Sequence, residues 1–569
     1  MGAHHHNQPI QDNSQFVFTG KLKLFTIALI IIGAASLALT YFTGSEHAHI
    51  RFWTNLLHNS VFFTGIAFAS LFFIATHTVA WGGWQTIFKR IPEAMMMFLP
   101  IGIVLLGLVA LAVSMDAKGT DFLYLWSDED ALKNDRLVIH KSAFLNPFNY
   151  LLTLVVIGIW TLFALAIRRL SIQQDGDRTL RKKNYEKIHM WSAIFLPIAG
   201  FSSAYAIWQW VMSVDPHWYS TLFAWYATVS VWVSAICIIY LLILFLQTRG
   251  HLQYFTKEHT HDLGKYVFGF SVFWTYLWFS QFMLIWYANN GEETQYFFLR
   301  FEQFRPVFFL NLIINFLIPF LSLMMNSAKR AKGTLGFMAG LVLFGHWLDY
   351  YQMIKPGVWY NWEHAQHAKH EHDHEGDHKH EGDHKHEGDH KHEGDHKHEG
   401  DHKHEGDHKH EGDAHKENHK EHSETYKLNS DNNAKVVLTD FQTPKEKDKK
   451  VENKNLAPDS TKVKSDTTHH THDSTAHDHD HGTAGTNGHD QGHDEHAKGH
   501  DEHAHAAHDH GPSFVMGIHF PGLYELGTMI GFLGLFLFVT FSFLERASLM
   551  PKNDPYVDES KNHHVWYDL

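Results

Sequence analysis

Within the apolar string FGHWLDYY, His346, Asp349 and Tyr350 stand at i, i+3 and i+4, a spacing that places all three on one helical face. A carboxylate beside an imidazole can orient the ring, and either group can accept a proton when its surroundings bring its pKa near 7. Ionisable side chains inside a membrane-spanning stretch are costly and mark pathways or sites. The competing reading is an interhelical hydrogen bond with no further role. A second set borders the apolar stretches: Asp215 and His217 in SVDPHWYS, Glu292 and Glu293 in ANNGEET, and Asp116, His140, Lys141, His519 and Glu525. Asp215, His217, Glu292, Glu293, Asp116, His140, Lys141 and Glu525 are candidates for carrying protons between a buried site and one surface. Asp116, His140, Lys141, His519 and Glu525, taken singly, fit equally well as helix-end residues solvated among headgroups.

The elements that must position these residues follow from an uneven composition. The chain has 569 residues and a formal net charge of −14, with 51 His and one Cys. Residues 361–511 hold 36 acidic, 19 basic and 34 His residues, and this segment alone carries −17. The remainder carries +3 and is dense in Leu, Ile, Phe and Trp. It contains repeated, nearly charge-free stretches of about 20 residues, the length needed to cross a hydrocarbon core roughly 30 Å thick. The expected fold class is an all-α membrane protein with ten transmembrane helices near 24–43, 58–81, 95–115, 148–168, 189–214, 219–247, 266–289, 307–327, 334–354 and 524–545. The organisation reads as a tail over 1–23, helices over 24–360, a His-rich low-complexity loop over 361–511, a last helix within 512–547 and a tail over 548–569. The polar first 20 residues lead into a span without a convincing cleavage site, so the first helix is read as uncleaved.

Charge in the short loops sets the expected orientation. The N-terminal flank, the loops after spans 2, 4, 6 and 8 and the C-terminal flank hold 20 Lys and Arg, against 7 in the four short loops opposite. Both termini are expected in the cytoplasm and the His-rich loop in the periplasm, with the ionisable set concentrated on that outer side. Cys237 lies inside a span, so there is no disulfide framework, c-type haem attachment motif or four-cysteine iron–sulfur site. Redox centres, if the chain serves electron transfer, therefore belong to other chains. His58, His77, His189 and His346 are the histidines in or bordering the spans, and no paired-ligand motif for haem b is present. Nothing in the chain points to nucleic acid. The Trp-rich spans 5–7 read as helix packing and interfacial anchoring rather than as a stacking surface for a quinone.

Three strings exceed what composition explains: MSVDPHWYSTLFAWY at 212–226, LGKYVFGFSVFWTYLWFSQFMLIWYANNGEET at 263–294, and LVLFGHWLDYYQMIKPG at 341–357. With the ten-span layout, they resemble the ActF-type integral membrane subunit of alternative complex III, a bacterial quinol:cytochrome c oxidoreductase. The resemblance covers residues 20–360 and 515–550 and leaves out the His-rich insertion. It implies the NrfD-like, polysulfide-reductase-like fold, two four-helix bundles plus peripheral helices, in the bacterial inner membrane. It also implies a paralogous NrfD-like membrane subunit, a periplasmic iron–sulfur subunit and multihaem cytochrome c subunits as partners, with a terminal oxidase as a further one and membrane lipid around them. Haem c and iron–sulfur clusters would reside on those partners, this chain would bind nothing covalently, and the quinone would be menaquinone. Quinol oxidation in this family is better supported in the paralogue, so the ActF-type resemblance leaves two roles open, quinone contact and a proton route. In either role His346, Asp349 and Tyr350 would be the central residues.

From Glu375 to His410 the string EGDHKH repeats six times without interruption. With almost no apolar residues to offset the ordering entropy, this stretch is expected to be disordered. Imidazoles two residues apart beside carboxylates, such as His378, His380, His384 and His386, could hold Zn²⁺, Cu²⁺ or Ni²⁺ weakly. Two further readings remain: a metal transporter fed by this loop, which would need ligands on several helices, and a purely architectural paralogue.

Overall fold

A long apolar run has no water to satisfy its peptide groups, so its stable form is a helix that closes every hydrogen bond internally. The computed structural model describes residues 15–43, 47–377 (side chains to 366) and 514–564. The residues expected to bind metal in the repeat, His378 to His386, lie outside them. The described part is all-helical, with two isolated β-bridges. Its long helices are α1 (Gly20–Phe42), α2 (Ala48–Val79), α3 (Arg90–Ser114), α4 (Pro147–Gly176), α5 (Arg181–Trp210), α6 (Thr221–Thr248), α7 (Lys257–Ala288), α8 (Arg305–Leu323), α9 (Lys332–Asp377) and α10 (Leu523–Leu544).

Among the described residues nine helices are long and apolar enough to cross a membrane, and the protein is a multi-pass membrane protein. The expected ninth span is helical but is not one of the nine. It forms part of α9, which carries His346, Asp349 and Lys355 and is enclosed by other helices, so apolarity toward lipid is not required of it. Several helices also begin earlier than hydropathy suggests: α2 at Ala48, α5 at Arg181 and α7 at Lys257. Their first turns hold Arg51, Lys182 and Glu258, whose charges hide helical residues from an apolar-run criterion.

Local chemistry fixes the helix ends. Asn146 caps α4 by accepting from Asn149 N–H, ahead of Pro147 in the first turn. Asn289 closes α7 in the left-handed conformation at φ 48°. In α8 a wide π-turn spans Ile313–Leu317, directly before Pro319. Proline has no N–H to offer the carbonyl four residues back, at Asn315, and the helix loosens there.

Helices α2–α5 pack as one set and α6–α9 as another, with α2 against α6 joining them. α2 and α6 form the centre, each with 83% of its apolar window buried, whereas α1 has only 17%. α1 runs along α10 at backbone contact: a Cβ on Gly33 would sit 2.2 Å from Gly531 Cα, and one on Gly527 would sit 2.1 Å from Ser36 Oγ. Small residues at a helix seam allow this approach.

The two ends of the bundle differ. At the terminal end, Phe18 N–H donates to Glu545, Lys89 pairs with Asp554, and His563 pairs with Asp262 at 2.6 Å. There Arg90, 1% exposed, is held by Glu93 and Asp175. At the opposite end, where the His-rich stretch enters and leaves, Asn361 donates to the carbonyls of Phe122 and Val214, and Tyr351 donates to that of Ile518.

Candidate functional site

The four helices of the second set converge on Asp349, whose carboxylate has no solvent exposure. On α9 it accepts from the Tyr226 hydroxyl of α6, from Trp274 Nε1 of α7 at 2.9 Å and from Asn311 Nδ2 of α8 at 2.8 Å. Desolvating a carboxylate is tolerable when several donors replace water, and here one comes from each neighbouring helix. The loosened turn of α8 bears on this arrangement, because Asn315 donates to Asn311, which also donates to Gln352 Oε1 at 3.2 Å. Gly345 admits Asn315: a Cβ there would lie 2.1 Å from Asn315 Oδ1.

His346, also without exposure, lies one turn away with Nδ1 4.0 Å from the Asp349 carboxylate. The same nitrogen meets Ser230 Oγ at 3.0 Å, and Nε2 has no hydrogen-bond partner. Tyr350 is equally buried, but its hydroxyl donates to the Ala227 carbonyl at 3.0 Å. The three residues expected on one face do lie together against α6, with Tyr350 directed to backbone and His346 and Asp349 to polar side chains.

Beyond Tyr226 lies Arg300, 2% exposed, in the short helix Gly291–Glu302. Its guanidinium lies 3.4 Å over the Tyr296 ring and donates to the Tyr296 carbonyl at 2.7 Å, and no carboxylate lies within 4 Å of it among the described residues. Arg300 and Gln281 each keep a buried N–H without a partner among the described residues and line, with Tyr226, Gln352 and the rings of Trp278 and Phe308, one small cavity. Arg300 acts electrostatically on Asp215 in the loop between α5 and α6. Burial raises the Asp215 carboxyl above its ordinary value, and Arg300, His217 and Lys141 partly oppose that rise.

At the surface of this end, His217 Nε2 meets the Asp135 carboxylate at 2.5 Å and Lys141 donates to the Pro216 carbonyl. Burial lowers the Lys141 ammonium, while Asp215, Asp135 and Glu292 raise it. The structure thus gathers Asp215, His217 and Lys141, with Asp135 added. His140 is exposed, Glu292 and Glu293 sit in the first turn of Gly291–Glu302, and Asp116 is exposed at φ 51°. Asp116 affects a neighbour that sequence reasoning passed over: burial, a hydrogen bond with Asp116 and the charges of Asp116 and Asp128 push the Asp121 carboxyl up to about 6.

Glu525 belongs to a different cluster. It is 1% exposed and receives Arg51 through Nε at 3.2 Å and Nη2 at 2.9 Å, Asn55 Nδ2 at 3.1 Å and Gly522 N–H at 3.0 Å. His519 stacks on Phe304 at 4.9 Å and accepts from Val515 N–H. Of the histidines weighed for haem, His77 is occupied at both nitrogens, by the Phe73 carbonyl at 2.8 Å and the Tyr266 hydroxyl at 3.0 Å, and His58 Nε2 meets the Trp347 carbonyl at 3.0 Å. Among the described residues no three His, Cys, Asp or Glu side chains converge to hold a metal ion.

Tyr226, Ser230, Asn311, Asn315 and Arg300 were not singled out from the sequence, and Trp274 was read with the other Trp residues of spans 5–7 as helix packing. A signal existed for two pairs: Tyr226 and Ser230, and Asn311 and Asn315, are polar residues at i, i+4 inside otherwise apolar helices, a spacing that puts each pair on one face.

The fold and this cluster define an all-helical multi-pass membrane protein with a buried carboxylate–imidazole centre. No family model matches the chain, and no curated protein matches it either.

Proposed function

We propose that this chain is the ActF-type integral membrane subunit of a quinol:cytochrome c oxidoreductase and that its own contribution is a proton route ending at Asp349 and His346. The observation that carries the proton role is the Asp349 carboxylate, unexposed yet held by donors from three other helices. The complex it would serve rests on the sequence resemblance. A quinol releases two protons and two electrons when oxidised, and the residues here suit handling of the protons. Both Asp349 oxygens are engaged by protein donors, and the neighbouring imidazole is sealed from the surface, so the pair fits proton holding better than contact with a quinone ring. Tyr226 links Asp349 toward Arg300, and Asp215, His217 and Lys141 continue toward the end where the His-rich stretch emerges. We place that end in the periplasm and both termini in the cytoplasm of the bacterial inner membrane. Partners on the periplasmic side would carry haem c and iron–sulfur clusters, beside a paralogous membrane subunit that contacts the quinol.

Purification of the chain from native membranes in mild detergent tests this reading. A c-type haem spectrum in the reduced-minus-oxidised difference, with multihaem and iron–sulfur chains co-purifying, is the expected result. A haem-free lone chain would refute the complex. Within such a complex, Asp349→Asn should lower turnover more than tenfold at unchanged haem content, whereas unchanged turnover would leave only an architectural role.

A further inference from the structure

Lys355, one and a half turns beyond Asp349 on α9, is 2% exposed. Its Nζ donates to Asn55 Oδ1 at 2.7 Å, and among the described residues no carboxylate lies within 4 Å of it. The one acid of this cluster, Glu525, is taken by Arg51 through three contacts of 2.9 to 3.2 Å. Asn55 stands between them, its amide N–H donating to Glu525 at 3.1 Å while its carbonyl faces the amine. The charge count decides the matter. Arg51 and Glu525 cancel, so an ammonium at Lys355 would be an uncompensated charge in a buried site, which costs several kcal/mol in general, whereas an amine leaves the cluster neutral. A small cavity with an apolar lining, formed by Ile50, Val358, Trp359, Trp362 and Ile518, adjoins Lys355.

We propose that Lys355 is a second proton-accepting site, an uncharged amine that takes up a proton to become an ammonium, with Asn55 and Glu525 positioned to stabilise the charge. The groups facing it are Arg51, Asn55 and His58 from α2, Glu525 from α10, and Tyr351, whose ring lies 5.4 Å from Nζ on its own helix. Arg51 opposes the incoming charge and Glu525 favours it. The site stands on the geometry of this chain alone and does not depend on the redox reading.

The test is the melting temperature of the purified full-length protein in detergent, wild type against K355M and N55D, at about pH 6.5 and about pH 10. An unfolded chain holds the lysine proton up to about pH 10.4. An amine that is neutral in the folded state therefore makes stability rise with pH toward that value and fall as the pH is lowered. The expected result is that K355M melts above wild type near pH 6.5 and that the gap closes near pH 10. A gap that is the same at both pH values, or a wild type that is the more stable at low pH, would overturn the proposal. N55D adds a carboxylate beside the amine, so it should lose the wild type's decline at low pH. If K355M does not fold, N55D decides, and an N55D curve parallel to wild type is the overturning outcome.

Discussion

Gly345 should be the most sensitive small residue around Asp349, and the perturbation that shows it is Gly345→Ala. A methyl there would lie 2.1 Å from Asn315 Oδ1 and 2.5 Å from Ile314 Cγ2. Ordinary contact needs roughly 3.4 Å or more, so α8 or its side chains must retreat by about 1 Å. Asn315 is hydrogen-bonded to Asn311, and Asn311 donates to Asp349 at 2.8 Å. A shift of that size breaks or bends the last bond. A hydrogen bond to a charged group contributes about 1.5–3 kcal/mol, and overpacking a tight site costs about 1–3 kcal/mol, so G345A should destabilise by about 2.5–6 kcal/mol. Asn315→Ala removes the nearer obstacle. The assay is a double-mutant cycle of wild type, G345A, N315A and the double variant, read by unfolding of the purified chain in detergent. The double variant should recover at least about 1 kcal/mol relative to the sum of the single changes. Additivity within about 0.5 kcal/mol would show that the two residues do not meet and would refute the path from Gly345 to Asp349.

Three further outcomes follow from other parts of the molecule. Tyr226→Phe removes one of the donors on the buried Asp349 and should cost about 1–3 kcal/mol of stability; a change under about 0.5 kcal/mol would mean the hydroxyl is not needed there. Asp121, raised to about 6 in the folded protein against 3.8 when unfolded, makes stability fall as pH rises through that window. Asp121→Asn should accordingly melt above wild type at pH 7 and match it below pH 4, and a gap independent of pH would count against the Asp116–Asp121 pairing. Gly531→Leu forces a side chain into the seam where a Cβ alone would already lie 2.3 Å from Gly33 Cα, so α1 should detach from α10 and become open to proteolysis near Phe42; an unchanged digestion pattern would contradict the close approach.

The sequence by itself determined that the chain is helical and multi-pass, because length and apolarity are properties of consecutive residues and the bilayer leaves a long apolar run no other form. It also placed His346, Asp349 and Tyr350 on one face, since i, i+3 and i+4 are fixed by helix geometry. It misjudged helix starts such as Ala48 and Lys257, where charged first turns interrupt apolarity but not hydrogen bonding. Only the tertiary structure decided what meets that face. Tyr226, Trp274 and Asn311 are 123, 75 and 38 residues from Asp349, and Arg51 and Glu525 are 474 apart. No local period carries such pairings; they arise when α6, α7 and α8 pack around α9 and when α2 meets α10. The same reason separates Glu525 from the proton candidates with which it was grouped: being on the same side of the membrane is a matter of chain order, whereas sharing a site is a matter of which helices touch.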